Sequence, residues 1–174
     1  MYFLQNALKK GAKNLSYFKP NDTIMTHSIA LVLTAEMEEN DLKELKSLMK
    51  EDGLIVKQTV RVNREIESFK ESLFCLFMEG YSLVLTFGGI GMEGDDIVPE
   101  ATGALIDKRL PALEGAIMYS LMEKGAYSIL NRGICGIFHS TVVINLPNKQ
   151  YVIKEILNTI IPLLKQGLYN INKG

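Results

Sequence analysis

The sequence is poor in the residues that build disulfide frameworks and metal centres, with only 2 cysteines and 2 histidines in 174 residues. Cys75 and Cys135 lie far apart in the chain, so their spacing fits neither a disulfide framework nor a zinc-ligand pair. We expect both thiols to be buried, Cys75 on an apolar helix face and Cys135 at a packed turn, in a reduced, cytoplasmic protein. His27 and His139 have no recognisable Ser or Cys nucleophile motif beside them and are interpreted as non-catalytic.

An excess of charge of one sign is also lacking. The 19 Lys and Arg residues are balanced by 20 Asp and Glu residues, which gives a net charge of −1. Because a domain that binds nucleic acid usually carries a broad basic surface, no nucleic-acid partner is expected. Every apolar run is interrupted by Lys, Glu or Asn before it could span a bilayer, so the sequence predicts a soluble protein with no membrane partner.

The length of 174 residues favours one domain, preceded by a segment of different character. Residues 1–26 carry apolar side chains at helical spacing together with several lysines, and a turn-forming Pro20-Asn21-Asp22 follows. We interpret residues 1–26 as a helical appendage and residues 27–174 as the domain proper.

Apolar patterns that alternate between strand and helix periodicity follow from residue 28 onwards. Short apolar runs predict buried strands, and apolar residues at helical spacing predict helices between them. Pro99 suits the first turn of one helix, Asn63 suits the cap of another, and Gly53 suits the end of a third. Strands that alternate with helices predict an α/β fold with three layers, α/β/α, around a mostly parallel central sheet. The predicted strands are residues 29–33, 54–62, 82–87 and 141–146.

Glycines and carboxylates follow the predicted strands at the edge where α/β sheets bind ligands. Gly88, Gly89 and Gly91 let the backbone turn tightly and offer bare amides to a phosphate or a polar ring, although a strand-to-helix turn can need glycine for geometry alone. Asp95 and Asp96 in the same loop would repel a phosphate unless a divalent cation lay between them. Glu36 and Asp96 are therefore predicted to hold Mg²⁺ as a bridge to nucleotide phosphates, while one of Asp95 and Asp96 is expected to cap the helix near Pro99.

These residues carry a resemblance to a known family. The loop and the segments after it resemble motifs of the molybdopterin-binding domains of molybdenum cofactor biosynthesis, a family that includes the molybdopterin adenylyltransferases. The resemblance covers about residues 28 to 165 and implies a three-layer α/β/α domain, commonly a homotrimer. The matching segments are Gly88-Gly89-Ile90-Gly91, Asp96, Pro99-Glu100-Ala101-Thr102, Asp107, Leu110-Pro111, Asn131-Arg132, Gly136 and Asn145-Leu146-Pro147-Asn148.

The resemblance implies transfer of an adenylyl group from Mg-ATP to the terminal phosphate of molybdopterin. It assigns catalysis and Mg²⁺ binding to Glu36 and Asp96, and substrate binding to a larger set. That set comprises Gly88, Gly89, Ile90, Gly91, Asp95, Asn131, Arg132, Asn145, Pro147 and Asn148.

The sequence departs from the family pattern inside this set. Ile90 stands where the family has Thr, Gly94-Asp95 stand where an Arg is common, and Asn131 and Asn148 replace Ser and Gly. Two alternatives therefore stay open: a non-catalytic pterin-binding or oligomerisation protein on the same fold, and a metal-dependent nucleotide pyrophosphatase. The second alternative follows from the likeness of Gly88-Gly89-Ile90-Gly91 and Asp95-Asp96 to the loop of competence-damage-type proteins.

Overall fold

The computed structural model describes residues 27–122 and 130–171. The predicted helical appendage lies outside the described residues, and the domain boundary at residue 27 stays a prediction. Within the described part the chain alternates between strands and helices as the sequence predicts. The elements are β1 (His27–Leu33), α1 (Glu39–Glu51), β2 (Leu54–Arg61), α2 (Ile66–Met78), β3 (Leu83–Phe87), α3 (Val98–Gly103), β4 (Lys108–Arg109), α4 (Pro111–Met122), β5 (Cys135–Phe138), β6 (Thr141–Leu146) and α5 (Gln150–Ile171).

The strands form one 6-stranded sheet in the order β2-β1-β3-β6-β5-β4. The pairs β1–β2, β1–β3 and β3–β6 are parallel, and the two remaining pairs, β6–β5 and β5–β4, are antiparallel. The predicted α/β class with a mostly parallel sheet is thus confirmed. Because β1, β3 and β6 are adjacent and parallel, the segments that follow them emerge at the same edge of the sheet.

Helices cover both faces of this sheet and give the three predicted layers. Along β1, Ile29, Leu31 and Leu33 pack on one face with α1, α4 and α5. Ala30 and Val32 point to the other face and pack with α2 and α3. This alternation on a strand buried on both sides explains the continuous apolar run in the sequence.

Local structure differs from the sequence-based expectations at three points. Asn63 does not cap α2, whose N-cap is Glu65 with no side-chain hydrogen bond, and neither Asp95 nor Asp96 caps α3, whose N-cap is Ile97. The expectation of a buried Cys75 was wrong, since the residue is exposed on α2, whereas Cys135 is buried as expected. Gly53 does end α1, with φ of 78°.

None of the helices in the described ranges is long and apolar enough to cross a membrane.

Candidate functional site

The glycine loop that follows β3 has a backbone that only glycine adopts easily. Gly88 and Gly89 have φ of 91° and 65°. A Cβ at Gly88 would lie 2.8 Å from the Cβ of Ala35, and one at Gly89 would lie 2.7 Å from Cγ2 of Val98. The two glycines therefore allow the loop to pass between the end of β1 and the start of α3.

Two hydrogen bonds fix the start of this loop and leave later amides available. The Gly88 amide donates to the Leu146 carbonyl at 3.0 Å, and the Val98 amide donates to the Gly89 carbonyl at 3.1 Å. The amides of Ile90 and Gly91 donate to no acceptor in the described ranges. Successive unpaired amides of this kind form a favourable place for an anion.

A cavity of about 470 Å³ opens beside the loop. It brings together three segments that are distant in the sequence: the glycine loop, the residue before Arg132, and the segment after β6. Predicted site residues that line it are Gly88, Gly89, Ile90, Gly91, Asp96, Asn131, Pro147 and Asn148. Predicted site residues that do not line it are Glu36, Asp95, Arg132 and Asn145.

Asp96 is a buried carboxylate with 9% exposure that shapes the loop from within. Its Oδ2 accepts a hydrogen bond from the Glu93 amide at 3.0 Å. Its Oδ1 lies 3.7 Å from Nη1 of Arg64. The carboxylate thus closes the turn at residues 93–96 and also faces a guanidinium at the cavity wall.

Glu36, the other predicted metal ligand, is exposed just beyond β1. It lies at the sheet edge that carries the glycine loop, but it does not line the cavity. No cluster of three or more His, Cys, Asp or Glu side chains suited to a metal occurs in the described part of the chain. With one oxygen of Asp96 already bonded to an amide, the side chains at the cavity do not fit an ion held by the protein alone.

Arg132 holds the glycine loop in place through hydrogen bonds to its backbone carbonyls. Its backbone amide donates to the Ile90 carbonyl at 2.9 Å. Nε donates to the Gly91 carbonyl at 2.5 Å, Nη2 donates to the Asp96 carbonyl at 2.6 Å, and Nη1 pairs with Glu100. Every nitrogen of the guanidinium has an acceptor in the protein, so in this structure Arg132 holds the glycine loop to the start of α3.

Asn145 is buried in a polar network behind the loop, with 1% exposure. Its Nδ2 donates to the hydroxyls of Thr86 and Thr102 at 3.0 and 3.1 Å, and its Oδ1 accepts from the Ile134 amide at 3.2 Å. The side chain thereby ties β3, α3 and β6 together. Its amide group satisfies buried polar atoms that would be costly to leave unpaired.

The branched side chain of Ile90 explains one departure from the family pattern. Ile90 is 5% exposed and belongs to the apolar cluster that includes Phe69 of α2 and Val98 of α3. Ile90 therefore supports the loop by packing in this cluster, and it also lines the cavity. Compared with a threonine, isoleucine at this position lacks a hydroxyl and gives the loop a larger apolar anchor.

Reasoning from the sequence missed Arg64, Glu93, Lys149 and Tyr151, which all line the cavity. Arg64 lies in the short connection between β2 and α2. Lys149 follows Asn148 directly, and Tyr151 is in the first turn of α5. The useful signal for Arg64 was its place after a predicted parallel strand, since such connections share one edge of the sheet. The signal for the other side was an aromatic residue, Tyr151, shortly after Asn148 and at the start of an apolar helix pattern.

Comparison with known proteins identifies relatives for this arrangement. A family model described as a probable molybdopterin binding domain matches residues 23–166. A crystal structure of a molybdopterin biosynthesis protein from Mycobacterium abscessus superposes with a TM-score of 0.76 at 25% identity, covering 84% of this chain and 96% of that one.

Two curated relatives share part of the sequence. The molybdenum cofactor synthesis protein cinnamon of Drosophila melanogaster is 37% identical over 91 residues, which are 52% of this chain and 15% of that protein. The molybdopterin adenylyltransferase of Helicobacter pylori is 35% identical over 82 residues, which are 47% of each protein. The match therefore spans less than half the length of either relative.

Proposed function

Because the chain belongs to the family of molybdopterin-binding domains of molybdenum cofactor biosynthesis, we propose that it binds molybdopterin in the glycine-loop cavity and adenylylates it with Mg-ATP. The observation that carries the proposal is the cavity itself. It joins the glycine loop, Asn131 and Pro147-Asn148, which are the segments that carry the family resemblance. The adenylyl transfer is supported by the similarity to the molybdopterin adenylyltransferase of Helicobacter pylori.

In the proposed reaction an oxygen of the pterin phosphate attacks the α-phosphorus of ATP. A new phosphorus–oxygen bond forms, the bond between the α-phosphorus and the bridging oxygen breaks, and pyrophosphate leaves with the electron pair. Such a transfer needs positioning and charge stabilisation more than covalent help from the protein. The amides of Ile90 and Gly91 are suited to the oxygens that gain charge, and Asn131 and Asn148 are suited to the pterin end.

Magnesium enters this proposal as part of the nucleotide substrate, since the cavity does not offer a complete ligand set of its own. Mg²⁺ in nucleotide sites is commonly held by one or two carboxylates together with phosphate oxygens and water. Asp96 is the predicted ligand that lines the cavity, and Glu36 would have to reach the nucleotide from outside it. A role for Glu36 stays a prediction, as do the homotrimer and the cytoplasmic location that the resemblance implies.

The substitution Asp96→Asn tests the catalytic assignment. Asparagine keeps an oxygen that can accept from the Glu93 amide, so the loop should hold its shape while the negative charge is lost. We expect formation of adenylylated molybdopterin to fall roughly 100-fold, measured with ATP, Mg²⁺ and molybdopterin as pyrophosphate release and product. Glu51→Gln, an exposed carboxylate at the end of α1, is the matched control and should retain full turnover. Glu36→Gln in the same series decides whether the carboxylate outside the cavity contributes.

The two alternatives give different results in that assay. Molybdopterin binding without turnover in the unmodified protein would support a non-catalytic pterin-binding protein and contradict the adenylylation. Release of AMP from ADP-ribose with Mg²⁺ and no pterin would support the nucleotide pyrophosphatase.

A further inference from the structure

We propose that Arg64 contacts the phosphoryl group of the ligand in the glycine-loop cavity and sets the affinity of the site for phosphorylated molecules. The inference rests on the proposed function, because it assumes that a phosphorylated ligand occupies this cavity. It adds a residue from the connection between β2 and α2 that lies outside the segments carrying the family resemblance.

The position of Arg64 at the cavity is fixed by the backbone. Nε donates to the Thr34 carbonyl at 3.2 Å, where the chain leaves β1. The side chain is 30% exposed and lines the cavity together with Gly88 and Gly89. A guanidinium held by its Nε in this way is placed in advance, so less conformational entropy is lost when it binds an anion.

The guanidinium has hydrogen-bonding capacity that the protein leaves unused. Nη1 donates to Oδ2 of Asp95 at 3.1 Å and lies 3.7 Å from Oδ1 of Asp96. Nη2 donates to no acceptor in the described ranges. Since a guanidinium carries five N–H donors in a planar fork, Arg64 can donate from Nη2 to a phosphate oxygen and keep the bond from Nε that positions it.

Arg64 is better suited to this role than the other cations near the loop. The nitrogens of Arg132 are all engaged by Gly91, Asp96 and Glu100, and Arg132 does not line the cavity. Lys149 lines the cavity but is exposed to solvent, where a single ammonium charge is screened.

Asp95 is the competitor of the proposed ligand. Its side chain is 56% exposed and lies outside the cavity lining, yet it accepts a hydrogen bond from Nη1 of Arg64. A phosphate that approaches Arg64 must share the guanidinium with this carboxylate and is repelled by its charge. Removal of the Asp95 charge should therefore strengthen phosphate binding, whereas removal of the Arg64 charge should weaken it.

Calorimetric titration with Mg-ATP and, separately, with molybdopterin tests the proposal. Arg64→Gln should weaken binding of the ligand whose phosphate it contacts by about 10- to 100-fold. Arg64→Lys should recover part of that loss, and Asp95→Asn should tighten binding about threefold or more. Arg61→Gln is the matched control, because Arg61 is exposed, pairs with Glu39 at 3.7 Å and does not line the cavity. The ligand that responds identifies which phosphate Arg64 contacts.

Affinities for both ligands that stay within threefold in Arg64→Gln would overturn the inference. If Arg64→Gln does not fold, Arg64→Lys and Asp95→Asn decide, and the inference fails when neither changes the affinity. Turnover in the unmodified protein with no Arg64 effect would leave the adenylylation standing and reject only this residue. Loss of Mg-ATP binding in Arg64→Gln, in a protein that binds no pterin, would keep the Arg64 assignment and reject the proposed function.

Discussion

Side chains that the sequence predicts to bind substrate have different surroundings in the structure. Asn131 and Asn145 were both predicted to bind substrate, but Asn131 lines the cavity whereas Asn145 is bonded to Thr86, Thr102 and the Ile134 amide inside the protein. A one-dimensional motif records that both asparagines belong to the same structural unit. It does not record that Asn131, in the loop before β5, lines the cavity whereas Asn145 of β6 is buried inside the protein, and this difference decides between contact with a ligand and support of the fold.

The same limit applies to charged residues. Asp96 could be predicted as a cavity residue because it follows the glycine loop. The hydrogen bonds from Arg132 to the loop could not be predicted, because their acceptors are the backbone carbonyls of Gly91 and Asp96. Arg64 escaped prediction because it lies in a connection with no motif of its own. Its proximity to Asp95 arises only when the ends of β1, β2 and β3 meet.

Tyr151 offers a test of ligand stacking at the residue scale. It is 63% exposed in the first turn of α5 and lines the cavity, so its ring is a suitable partner for a planar pterin. Tyr151→Ala should weaken molybdopterin binding roughly 3- to 10-fold, which corresponds to about 0.5–1.5 kcal/mol. Tyr151→Phe keeps the ring and should bind like the unmodified protein in the same titration. Equal affinity of the alanine and phenylalanine variants would show that the ring makes no contact.

At the scale of elements, the four longer strands, including the edge strand β2, could be predicted, whereas the short antiparallel strands β4 and β5 could not. β1, β3 and β6 are continuous apolar runs because helices cover both of their faces, and that pattern is visible in the sequence. β4 has 2 residues, both exposed, and β5 has 4 residues that include Gly136. A Cβ at Gly136 would lie 2.8 Å from the Lys108 carbonyl, so the close approach of β4 explains this glycine. That approach could not be predicted from the sequence.

The two cysteines test the positions of α2 and β5. Cys75 is exposed on α2, whereas Cys135 is buried on β5, where burial and the nearby Glu114 charge raise the pKa of its thiol. A thiol reagent at pH 8 should therefore modify one cysteine quickly in the folded protein and the second only after unfolding. Cys75→Ser should remove the fast reaction completely. Rapid modification of Cys135 in that variant would contradict the placement of β5 inside the sheet.

At the scale of the whole molecule, the fold explains why distant motifs converge. The parallel strands β1, β3 and β6 end at one edge, so Thr34, the glycine loop and Pro147 become neighbours although the chain separates them widely. The helices on the two faces leave this edge open as the cavity. The fold class could thus be predicted from the alternation of strands and helices along the sequence. That a ligand binds beside the glycine loop stays a prediction, and the contacts of each residue there depend on the three-dimensional structure.

The stability of the whole molecule should depend on the protonation of His27. This residue begins β1, where burial, followed by the charge of Lys165, lowers the pKa of its imidazole below the ordinary value. Lys165 is itself paired with Asp52 at 2.6 Å. Because the unfolded chain then binds a proton at a higher pH than the folded protein does, the contribution of His27 is fully present above the ordinary histidine pKa. It is lost as the pH falls from that value towards the lowered one.

Measurement of the free energy of unfolding by urea between pH 7.5 and pH 5.5 tests this dependence. The unmodified protein should lose stability on acidification more steeply than His27→Gln, which has no group to protonate at that position. His139→Asn is the control, because His139 is an exposed turn residue with φ of 49° and asparagine tolerates that backbone conformation. Its slope should match that of the unmodified protein. Parallel slopes for the unmodified protein and His27→Gln would mean that His27 has the same proton affinity in the folded and unfolded chains. That result would contradict the lowering of the His27 pKa by burial at the start of β1.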